Sequence, residues 1–542
     1  MAMKNLSLTC FVPCCLFILI ACGKSERLKT SNFDTLEYKN NLAILSDDNM
    51  QGRLPGTEGA TRAANYIASQ FKKIGLTPVS NNGYFQQVNI HSYQPDYKHT
   101  SFVISGKNFK EQIVPFDEIV FTSKQDNKTA QIEGELVFVG YGVVAPEYNW
   151  DDYKGADVKN KIAVCLLNHP DFQSPLYKKG ETTYYGSFQS KAETAFRKGA
   201  KGIIFIVQKD GKFQFPGWQN YIKNISFGDY SIDSKIDLVS FIEEDAFNRV
   251  LNNLKTSTGD LVRKADNRDF LPYSMSLQVN TSFEQHVKNF TSPNIVGYIK
   301  GTENPDEAFI YMSHYDHLGV LRPENGDSIF NGAIDNASGT AGTILLAHYF
   351  STHPQKRTVI FVATTAEEMA FQGILHYIKN PVIPMEKTVA GINLDMMNFL
   401  GKAGSIELKP LAFTNAINQI KEITAKENLE LELSKSDSEY LNFRVESYPF
   451  ALHDVLVMNL VFEQIPEKYP SLSKGQLKAI MDDGGLNYHT PFDEVKPWFR
   501  YDGILQELEL ARQIGVYYAN EGVKPKFNSD NPFIPAKKMW IK

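Results

Sequence analysis

The second half of the sequence carries histidine and carboxylate side chains in short groups, each placed just after an apolar run. His314 and Asp316 follow one such run, Glu367 and Glu368 follow the next, and Asp395 follows a third directly. In an open α/β sheet, functional groups collect just beyond the carboxyl ends of the strands. We therefore expect these five side chains to converge at one edge of a sheet.

Two more residues complete a set with the composition of a metal site. Asp335 precedes a helix of small residues, and His489 lies in a loop near the end of the chain. Imidazole and carboxylate ligands without thiolates fit zinc or a similar divalent metal. Two ions about 3.5–4 Å apart need a bridging carboxylate, terminal ligands on each side and an unligated base beside a shared water, and the set supplies all of these. The water would lose its proton near neutral pH, and the base could pass that proton to a leaving amine.

The interpretation as a metal site depends on the order of the motifs, because each motif alone is common. A His-x-Asp pair occurs by chance, and a Glu-Glu pair starts many helices because the helix dipole favours negative charge there. A lone loop histidine usually lies on the surface. We interpret the other histidines of the second half as structural: His317, His348, His353, His376 and His453.

The elements that must position these residues are predicted from the alternation of apolar runs after Asn294. The runs at 308–312, 358–363, 389–394 and 456–460 are typical of strands, and the run at 337–350 is typical of a helix. Such alternation predicts a mainly parallel sheet covered by helices, a three-layer α/β domain. Nearer the N-terminus, apolar residues recur at helical spacing from Ala60 to Ile74, and Gly75 follows as a stop. A turn-rich loop, Gly52 to Thr57, leads into this predicted helix.

Residues 98–287 have a different pattern of apolar and turn-forming residues. Short apolar, β-branched runs such as 136–139, 162–167 and 203–207 are separated by Gly, Asp, Asn and Pro. This pattern predicts a separate, mostly β module. The length of 542 residues also exceeds what one compact core usually holds, which favours at least two domains. The formal net charge of -6 and the lack of a long basic run argue against nucleic acid as a partner.

The N-terminus is typical of an exported protein. Lys4 precedes an apolar stretch from Phe11 to Ala21 that is too short to span a bilayer as a helix. The sequence at its end, Leu19-Ile20-Ala21-Cys22, resembles a bacterial lipobox, so we expect cleavage before Cys22 and lipidation of that residue. The alternative is an ordinary secretory signal. Cys165 is then the one cysteine left in the unlipidated body, where we expect it to be a small buried core residue that forms no disulfide.

The ordered motifs resemble the family of co-catalytic zinc peptidases, which includes bacterial leucyl aminopeptidases, glutamate carboxypeptidases and glutaminyl cyclases. The matching segments are His314-Tyr315-Asp316, Asp335 to Gly339, Glu367-Glu368, Asn393-Leu394-Asp395 and Tyr488 to Asp493. The similarity extends to the Gly52 to Thr57 loop, and the middle module resembles a protease-associated insert. The resembling parts of that insert are Asp151 to Tyr153, Asp157 to Lys161 and Lys191 to Val207.

The resemblance implies a zinc exopeptidase-like α/β domain that holds two Zn²⁺ ions, with another divalent metal as an option. It implies removal of N-terminal residues from peptide substrates by a hydroxide that bridges the metals. The implied roles are Asp335 as bridge, His314 and Asp395 as ligands of one ion, Glu368 and His489 as ligands of the other, Glu367 as general base, and Asp316 as the group that holds the imidazole of His314.

The resemblance also implies the domain organisation. We expect a lipoprotein signal peptide at 1–21, a tether at 22–40, the first part of the peptidase domain at 41–97, the protease-associated insert at 98–287, the second part of the peptidase domain at 288–525 and a C-terminal tail at 526–542. The product would be a lipoprotein held in the bacterial cell envelope through Cys22, facing the periplasm or the surface. The oligomeric state is left open.

Departures from the family pattern leave substrate choice open. Relatives carry Ser-Asp before an aromatic-Pro-Phe stretch where this chain reads Arg444 to Phe450, and Asn160 stands where a glycine is usual. Polar stretches at 427–442 and 463–483 predict extra loops near the rim of the site. The alternatives are a single-zinc glutaminyl cyclase, a carboxypeptidase for acidic dipeptides and a non-catalytic, receptor-like binding protein.

Overall fold

The computed structural model describes most of the chain after the predicted signal peptide, which itself lies outside the described residues together with Cys22. The described residues are 32–81, 83–123, 125, 127–172, 183–209, 215, 236–433, 445–462, 469, 472–482, 487–529 and 531–540. Within these ranges, no helix is both long enough and apolar enough to cross a membrane.

The α-helices are distributed along the whole described chain. They are α1 (Thr35–Leu45), α2 (Glu58–Ile74), α3 (Phe188–Arg197), α4 (Glu244–Asn252), α5 (Thr258–Ala265), α6 (Ser338–Thr352), α7 (Gln372–Lys379), α8 (Ile417–Lys426), α9 (Tyr448–Leu452), α10 (Lys474–Asp482), α11 (Tyr501–Asn520) and α12 (Phe533–Trp540).

The strands form one large sheet and two small ribbons. They are β1 (Thr77–Pro78), β2 (Phe85–Gly106), β3 (Phe109–Ile113), β4 (Ile119–Thr122), β5 (Thr129–Phe138), β6 (Val144–Ala145), β7 (Trp150–Asp151), β8 (Ile162–Leu166), β9 (Gly202–Val207), β10 (Leu238–Glu243), β11 (Tyr273–Ile299), β12 (Asn304–His314), β13 (Gly319–Glu324), β14 (Asp327–Phe330), β15 (Arg357–Thr364), β16 (Thr388–Asn393), β17 (Ser405–Lys409), β18 (Glu430–Glu432) and β19 (Leu456–Val461).

A block of four parallel strands lies at the centre of the second half of the chain. Its order is β19, β16, β12, β15, and each neighbouring pair is parallel. The register brings the carboxyl ends together, because His314 pairs with Thr364 and Met312 pairs with Asn393. The chain segments that follow β12, β15 and β16 therefore leave the sheet at the same edge.

Helices cover both faces of this block. On β12, the side chains of Phe309 and Tyr311 lie in one buried cluster with residues of α1, α2, α6 and α11. Ile310 and Met312 lie in a second cluster, with residues of α7 and α9. This alternation follows the two-residue period of a strand buried on both faces. The predicted three-layer, mixed α/β fold is confirmed.

Helix α2 shows how the sequence directs its local structure. The hydroxyl oxygen of Thr57 accepts from the main-chain N–H of Ala60 and caps the first turn, and Gly75 ends the helix with φ of 87°. Alanines at positions 60, 63, 64 and 68 give the buried face little bulk, so the helix approaches its neighbours closely. The helix predicted between Ala60 and Gly75 is confirmed.

Residues 98–287 add a second run of parallel strands and their own buried clusters. Strands β5, β8, β9 and β10 are parallel, with β4 antiparallel at the outer edge. Helices α3, α4 and α5 belong to this part, so it contains helices as well as strands. Cys165 is buried in its core and is a free thiol, as expected.

The two longest strands connect this part to the parallel block. Residues 273–284 of β11 pair with β5, residues 295–299 pair with β15, and β2 runs antiparallel to β11 over most of its length. The predicted domain limits at 97/98 and 287/288 fall inside β2 and β11. The chain therefore passes between the two parts along paired strands, and the assignment of domains stays a prediction.

Candidate metal centre

The structure brings the predicted ligands together at the carboxyl edge of the parallel block. The first group is His314, Asp335 and Asp395, and the second contains Asp335, Glu368 and His489 together with His317. In each group the possible ligand atoms all lie within 4.8 Å of one another. Asp335 belongs to both groups. Glu367, the predicted base, belongs to neither of the groups found among the described residues.

Asp335 has the geometry of a bridging carboxylate. Its Oδ1 lies 3.2 Å from Nε2 of His314, and its Oδ2 lies 3.2 Å from Nε2 of His489. The two oxygens of one buried side chain therefore face two different imidazoles. The same histidines, opposed by burial, hold the pKa of Asp335 well below its ordinary value. This carboxyl remains charged and can contact two cations at once.

The remaining separations test whether a cation of the size of zinc fits. Nε2 of His314 lies 3.4 Å from Oδ1 of Asp395, and Nε2 of His489 lies 3.1 Å from Oε1 of Glu368. Two ligands of one tetrahedral zinc, with bonds of about 2.0–2.2 Å, have donor atoms about 3.3–3.6 Å apart. The observed distances are close to this range. The donors are nitrogen and oxygen atoms only, so the residues fit a pair of zinc or similar ions.

The two histidines of the predicted set have pKa values that reflect the surrounding negative charge. Burial alone would lower both values. For His314, Glu367, Asp335 and Asp395 outweigh burial and raise the pKa well above its ordinary value. For His489, Glu368 and Asp335 raise the pKa to about 10. A metal ion must displace a proton from each ring, so its binding is expected to weaken at acid pH.

Asp316 contacts His314 and the two glutamates through different atoms. Nδ1 of His314 lies 3.2 Å from the main-chain oxygen of Asp316 and 3.9 Å from its carboxylate Oδ1. The carboxylate accepts the main-chain N–H groups of Glu367 (3.1 Å) and Glu368 (3.3 Å). The main chain of Asp316 thus orients the imidazole, and its side chain fixes the segment that carries both glutamates.

Glu367 is half-buried in the segment between β15 and α7. Burial raises the pKa of its carboxyl well above the ordinary value; His314 opposes this, and the neighbouring Glu368 and Asp395 add to it. The preceding Ala366 has φ of 56°, which turns the chain sharply before the two glutamates. A carboxyl of raised proton affinity beside the ligands, without a ligand position itself, is suited to accept and return a proton.

The loop that carries Asp335 is held from the far end of the chain. Asp493 accepts the main-chain N–H of Ile334 at 2.8 Å and that of Asp335 at 3.0 Å. Asn336 donates to the main-chain oxygen of Leu394 at 2.9 Å, which ties the same loop to the end of β16. Burial raises the pKa of Asp493 to about 7. The motif that contains His489 therefore also positions the bridging residue.

Arg53 was assigned no role from the sequence, and the structure places it under the metal centre. Its side chain is fully buried. Nε donates to the main-chain oxygen of Tyr315 at 2.7 Å, Nη1 to those of Leu45 (2.6 Å) and Asn331 (2.5 Å), and Nη2 to that of Gly332 at 2.9 Å. One guanidinium thus joins the segments that follow β12 and β14. Its sequence signal was an arginine inside a Gly-Pro-Gly loop.

His317, interpreted as structural from the sequence, lies in the metal cluster. Its Nδ1 is 3.1 Å from Oε1 of Glu368 and 3.9 Å from Oδ2 of Asp335. Burial outweighs the neighbouring carboxylates and lowers its pKa, whereas the pKa values of His314 and His489 are raised. A third histidine one residue after a His-x-Asp motif was the signal available in the sequence.

Glu446 lies at the point where the sequence departs from the family pattern. Its Oε2 accepts from the hydroxyl of Thr364 at 2.7 Å, and burial raises its pKa to about 8. That value includes the opposing charge of His314 and smaller contributions from Asp316 and Asp395, so Glu446 interacts electrostatically with residues of the candidate metal centre. Arg444 and much of the two predicted rim loops, 434–442 and 463–468 in particular, lie outside the described residues.

The carboxyl edge of this mainly parallel sheet carries two groups of imidazole and carboxylate side chains that share Asp335. These groups have the composition of a metal-binding site. Residues 294–506 match the family described as Peptidase family M28. The matched residues contain all seven predicted site residues. The predicted resemblance to co-catalytic zinc peptidases is confirmed.

Individual relatives agree with this assignment. Aminopeptidase YwaD of Bacillus subtilis (strain 168) is 26% identical over 352 residues, which cover 64% of this chain and 58% of that protein. A "Probable zinc metalloprotease" of Pyrenophora tritici-repentis (strain Pt-1C-BFP) is 33% identical over 103 residues, 19% of this chain and 24% of that protein. The chain thus spans less than two thirds of the length of each of these two curated relatives.

The solved structure of the aminopeptidase from Aneurinibacillus sp. strain AM-1 has the same fold. It superimposes with a TM-score of 0.54 at 18% sequence identity, over 91% of this chain and 96% of that chain. The superposition includes residues on both sides of the 98–287 segment, because it covers nine tenths of the sequence.

Proposed function

We propose that this protein is an aminopeptidase that holds two zinc ions and hydrolyses N-terminal residues from peptides. The observation that carries the proposal is the placement of Asp335, whose two oxygens face His314 and His489 separately. The match of residues 294–506 to Peptidase family M28 supports it, as do the names aminopeptidase and zinc metalloprotease among its relatives.

In the proposed reaction each of these residues has a separate task. His314 and Asp395 would hold one ion, Glu368 and His489 the other, and Asp335 both. Bound zinc supplies a Lewis acid and lowers the pKa of water toward neutrality. Asp316 and Asp493 keep the ligand-bearing segments in place through main-chain hydrogen bonds. Their contribution is to fix the spacing of the ligands before substrate binds.

Glu367 would perform the proton transfer. Its carboxylate accepts a proton from the attacking water and returns it to the nitrogen of the departing amine, so that the amine leaves in neutral form. Glu367 lies beside Glu368 but belongs to neither ligand group, so neither of its carboxylate oxygens is assigned to a metal ion.

Substitution of the proposed base tests the reaction directly. Glu367→Gln should lower kcat by about 10²–10⁴-fold, because the amide cannot accept a proton, while the zinc content per chain stays unchanged. Glu58→Gln, at an exposed position in the first turn of helix α2, serves as the control and should retain full activity. The assay is release of the chromophore from an aminoacyl anilide, combined with metal analysis of both variants. Substantial activity in Glu367→Gln would show that the base is another group.

A panel of substrates separates the alternatives. Chelator-sensitive release of an N-terminal residue, with two zinc ions per chain, supports the proposal. Cyclisation of an N-terminal glutaminyl peptide with one zinc ion indicates a glutaminyl cyclase, and cleavage of a C-terminal acidic residue indicates a carboxypeptidase. Bound metal without turnover of any of these substrates indicates a receptor-like protein.

We also propose that the chain is exported, anchored in the bacterial cell envelope by a lipid on Cys22, and equipped with a protease-associated insert at 98–287. The support for the anchor is the Leu19-Ile20-Ala21-Cys22 sequence. Labelling of cells with a radioactive or alkyne-bearing fatty acid should mark the wild-type protein. Cys22→Ser should abolish that label and release the protein from the membrane fraction.

A further inference from the structure

The side chain of His317 lies in the second ligand group without having been assigned to it from the sequence. The residue is fully buried. Its Nδ1 lies 3.1 Å from Oε1 of Glu368, the same oxygen that Nε2 of His489 approaches at 3.1 Å. The rings of His317 and His489 are 5.6 Å apart and inclined at 71°. Two imidazole nitrogens therefore converge on one carboxylate oxygen.

The two nitrogens of this ring have different surroundings. Its Nε2 is buried and, among the described residues, has no hydrogen-bond partner. The main-chain N–H of His317 points to the oxygen of Arg53 at 3.4 Å, which holds the backbone and leaves the ring to face the cluster. The polar contacts of the ring are thus all on the side of the ligands.

The distances around Nδ1 agree with a ligand position. The separation from Glu368 equals that of the His489 and Glu368 pair, which the geometry already places on one ion. The longer distance of 3.9 Å to Oδ2 of Asp335 corresponds to a wide ligand angle of about 140° at bonds of about 2.05 Å, as five-coordinate zinc allows.

We propose that His317 is a ligand, through Nδ1, of the ion held by Asp335, Glu368 and His489. The inference rests on the proposed function, because it requires that metal ions occupy the centre. The second ion then has two imidazole ligands, whereas the first, with His314 and Asp395, has one. Imidazole ligands favour zinc, and carboxylate-rich sites accept harder ions such as Mn²⁺. The two positions are therefore expected to differ in metal preference, with zinc retained longer at the second.

Calorimetric titration of the metal-free full-length protein with Zn²⁺ tests the ligand role. The wild type should bind two ions with distinct affinities. Both His317→Ala and His317→Asn should weaken one of the two binding events by about 100-fold or more, beyond the 10–100-fold typical for partners that only orient a ligand. His376→Ala, in the helix that follows the two glutamates, is the matched control and should retain both affinities.

The asparagine variant separates a ligand from a hydrogen-bond donor. Its side-chain N–H can replace a donor at Nδ1 toward Glu368, but an amide nitrogen does not bind zinc. Wild-type affinity in His317→Asn, or unchanged affinities in His317→Ala, would overturn the proposal. Circular dichroism of each metal-free variant reports whether the fold is retained.

Zinc X-ray absorption on the wild type provides a test that needs no variant. Three histidines shared between two zinc ions give a stronger imidazole scattering signal per zinc than two histidines do. A signal that corresponds to one imidazole per zinc would contradict the ligand role of His317 while the two-zinc centre stands. Absence of zinc binding by the wild type would instead refute the proposed function itself.

Discussion

Replacement of Arg53 by methionine removes the one guanidinium that joins the segments beneath the metal centre. It donates to four main-chain oxygens, those of Leu45, Tyr315, Asn331 and Gly332. Hydrogen bonds from a charged donor contribute about 1.5–3 kcal/mol each, so the four contribute about 6 kcal/mol at the low end. Burial of the charge opposes this, because it lowers the pKa of Arg53 to about 10.

The two contributions give the expected size of the effect. Burial of the guanidinium offsets part of this, so we expect a net loss of about 3 kcal/mol in the free energy of unfolding for Arg53→Met, the lower end of the range for loss of one partner of a buried charged network. Arg53→Lys keeps the charge but has three donors and no planar fork, so it should lose about half as much. Methionine is close in volume, which limits the cavity that the substitution creates.

The change in the free energy of unfolding can be measured by urea unfolding monitored through tryptophan fluorescence. A chelator in the buffer removes any contribution from bound metal. Arg62→Met is the control, because Arg62 lies partly exposed on α2 and donates to the oxygen of Asn49 at 2.6 Å. It should change the free energy of unfolding by no more than about 0.5 kcal/mol, as surface substitutions usually do. If Arg53→Met is no more destabilising than this control, the four hydrogen bonds do not stabilise the fold as reasoned.

Two further perturbations have defined outcomes. Asp493→Ala frees the main chain of Ile334 and Asp335, and should weaken zinc binding in a calorimetric titration by about 10–100-fold; an unchanged affinity would show that the loop holds itself. Glu507 is buried, and burial raises its pKa to about 8. Because the folded state holds this proton more tightly than the unfolded state, the stability it contributes is present below about pH 4.5 and is lost as the pH rises to 8, by about 5 kcal/mol at most. Glu507→Gln should flatten that part of the stability profile, and a profile parallel to the wild type would contradict the assignment.

The strands and the positions of the ligands could be predicted because both depend on local sequence. The apolar run at 308–312 lies within β12, and the run at 389–394 corresponds to β16. Parallel strands end at a common edge of the sheet. Residues that directly follow them can therefore be predicted to lie close together, even when they are far apart along the chain. Helix α2 was predictable for the same reason, since its cap and its stop are adjacent residues.

The residues that sequence reasoning missed act through tertiary contacts. After His314 the chain leaves the sheet, so the two-residue alternation that tells inward from outward side chains no longer applies, and the direction of His317 was undetermined. The carboxylate of Asp316 reaches main-chain N–H groups some fifty residues away, at Glu367 and Glu368. Arg53 is buried against the usual preference of arginine for the surface, and its acceptors lie in three separate segments.

The continuous ribbon of β2 and β11 has a consequence for engineering. Gln94 pairs with His286 and Tyr93 with Val287 in an antiparallel register. A two-residue Asn-Gly turn that joins Gln94 directly to His286 would close this ribbon as a β-hairpin. The residues between these two positions would be deleted. The shortened protein would uncover Leu452 and Phe533, which are buried in a cluster made mostly of the removed residues. A soluble miniature version therefore requires polar residues at those two positions as well as the new turn.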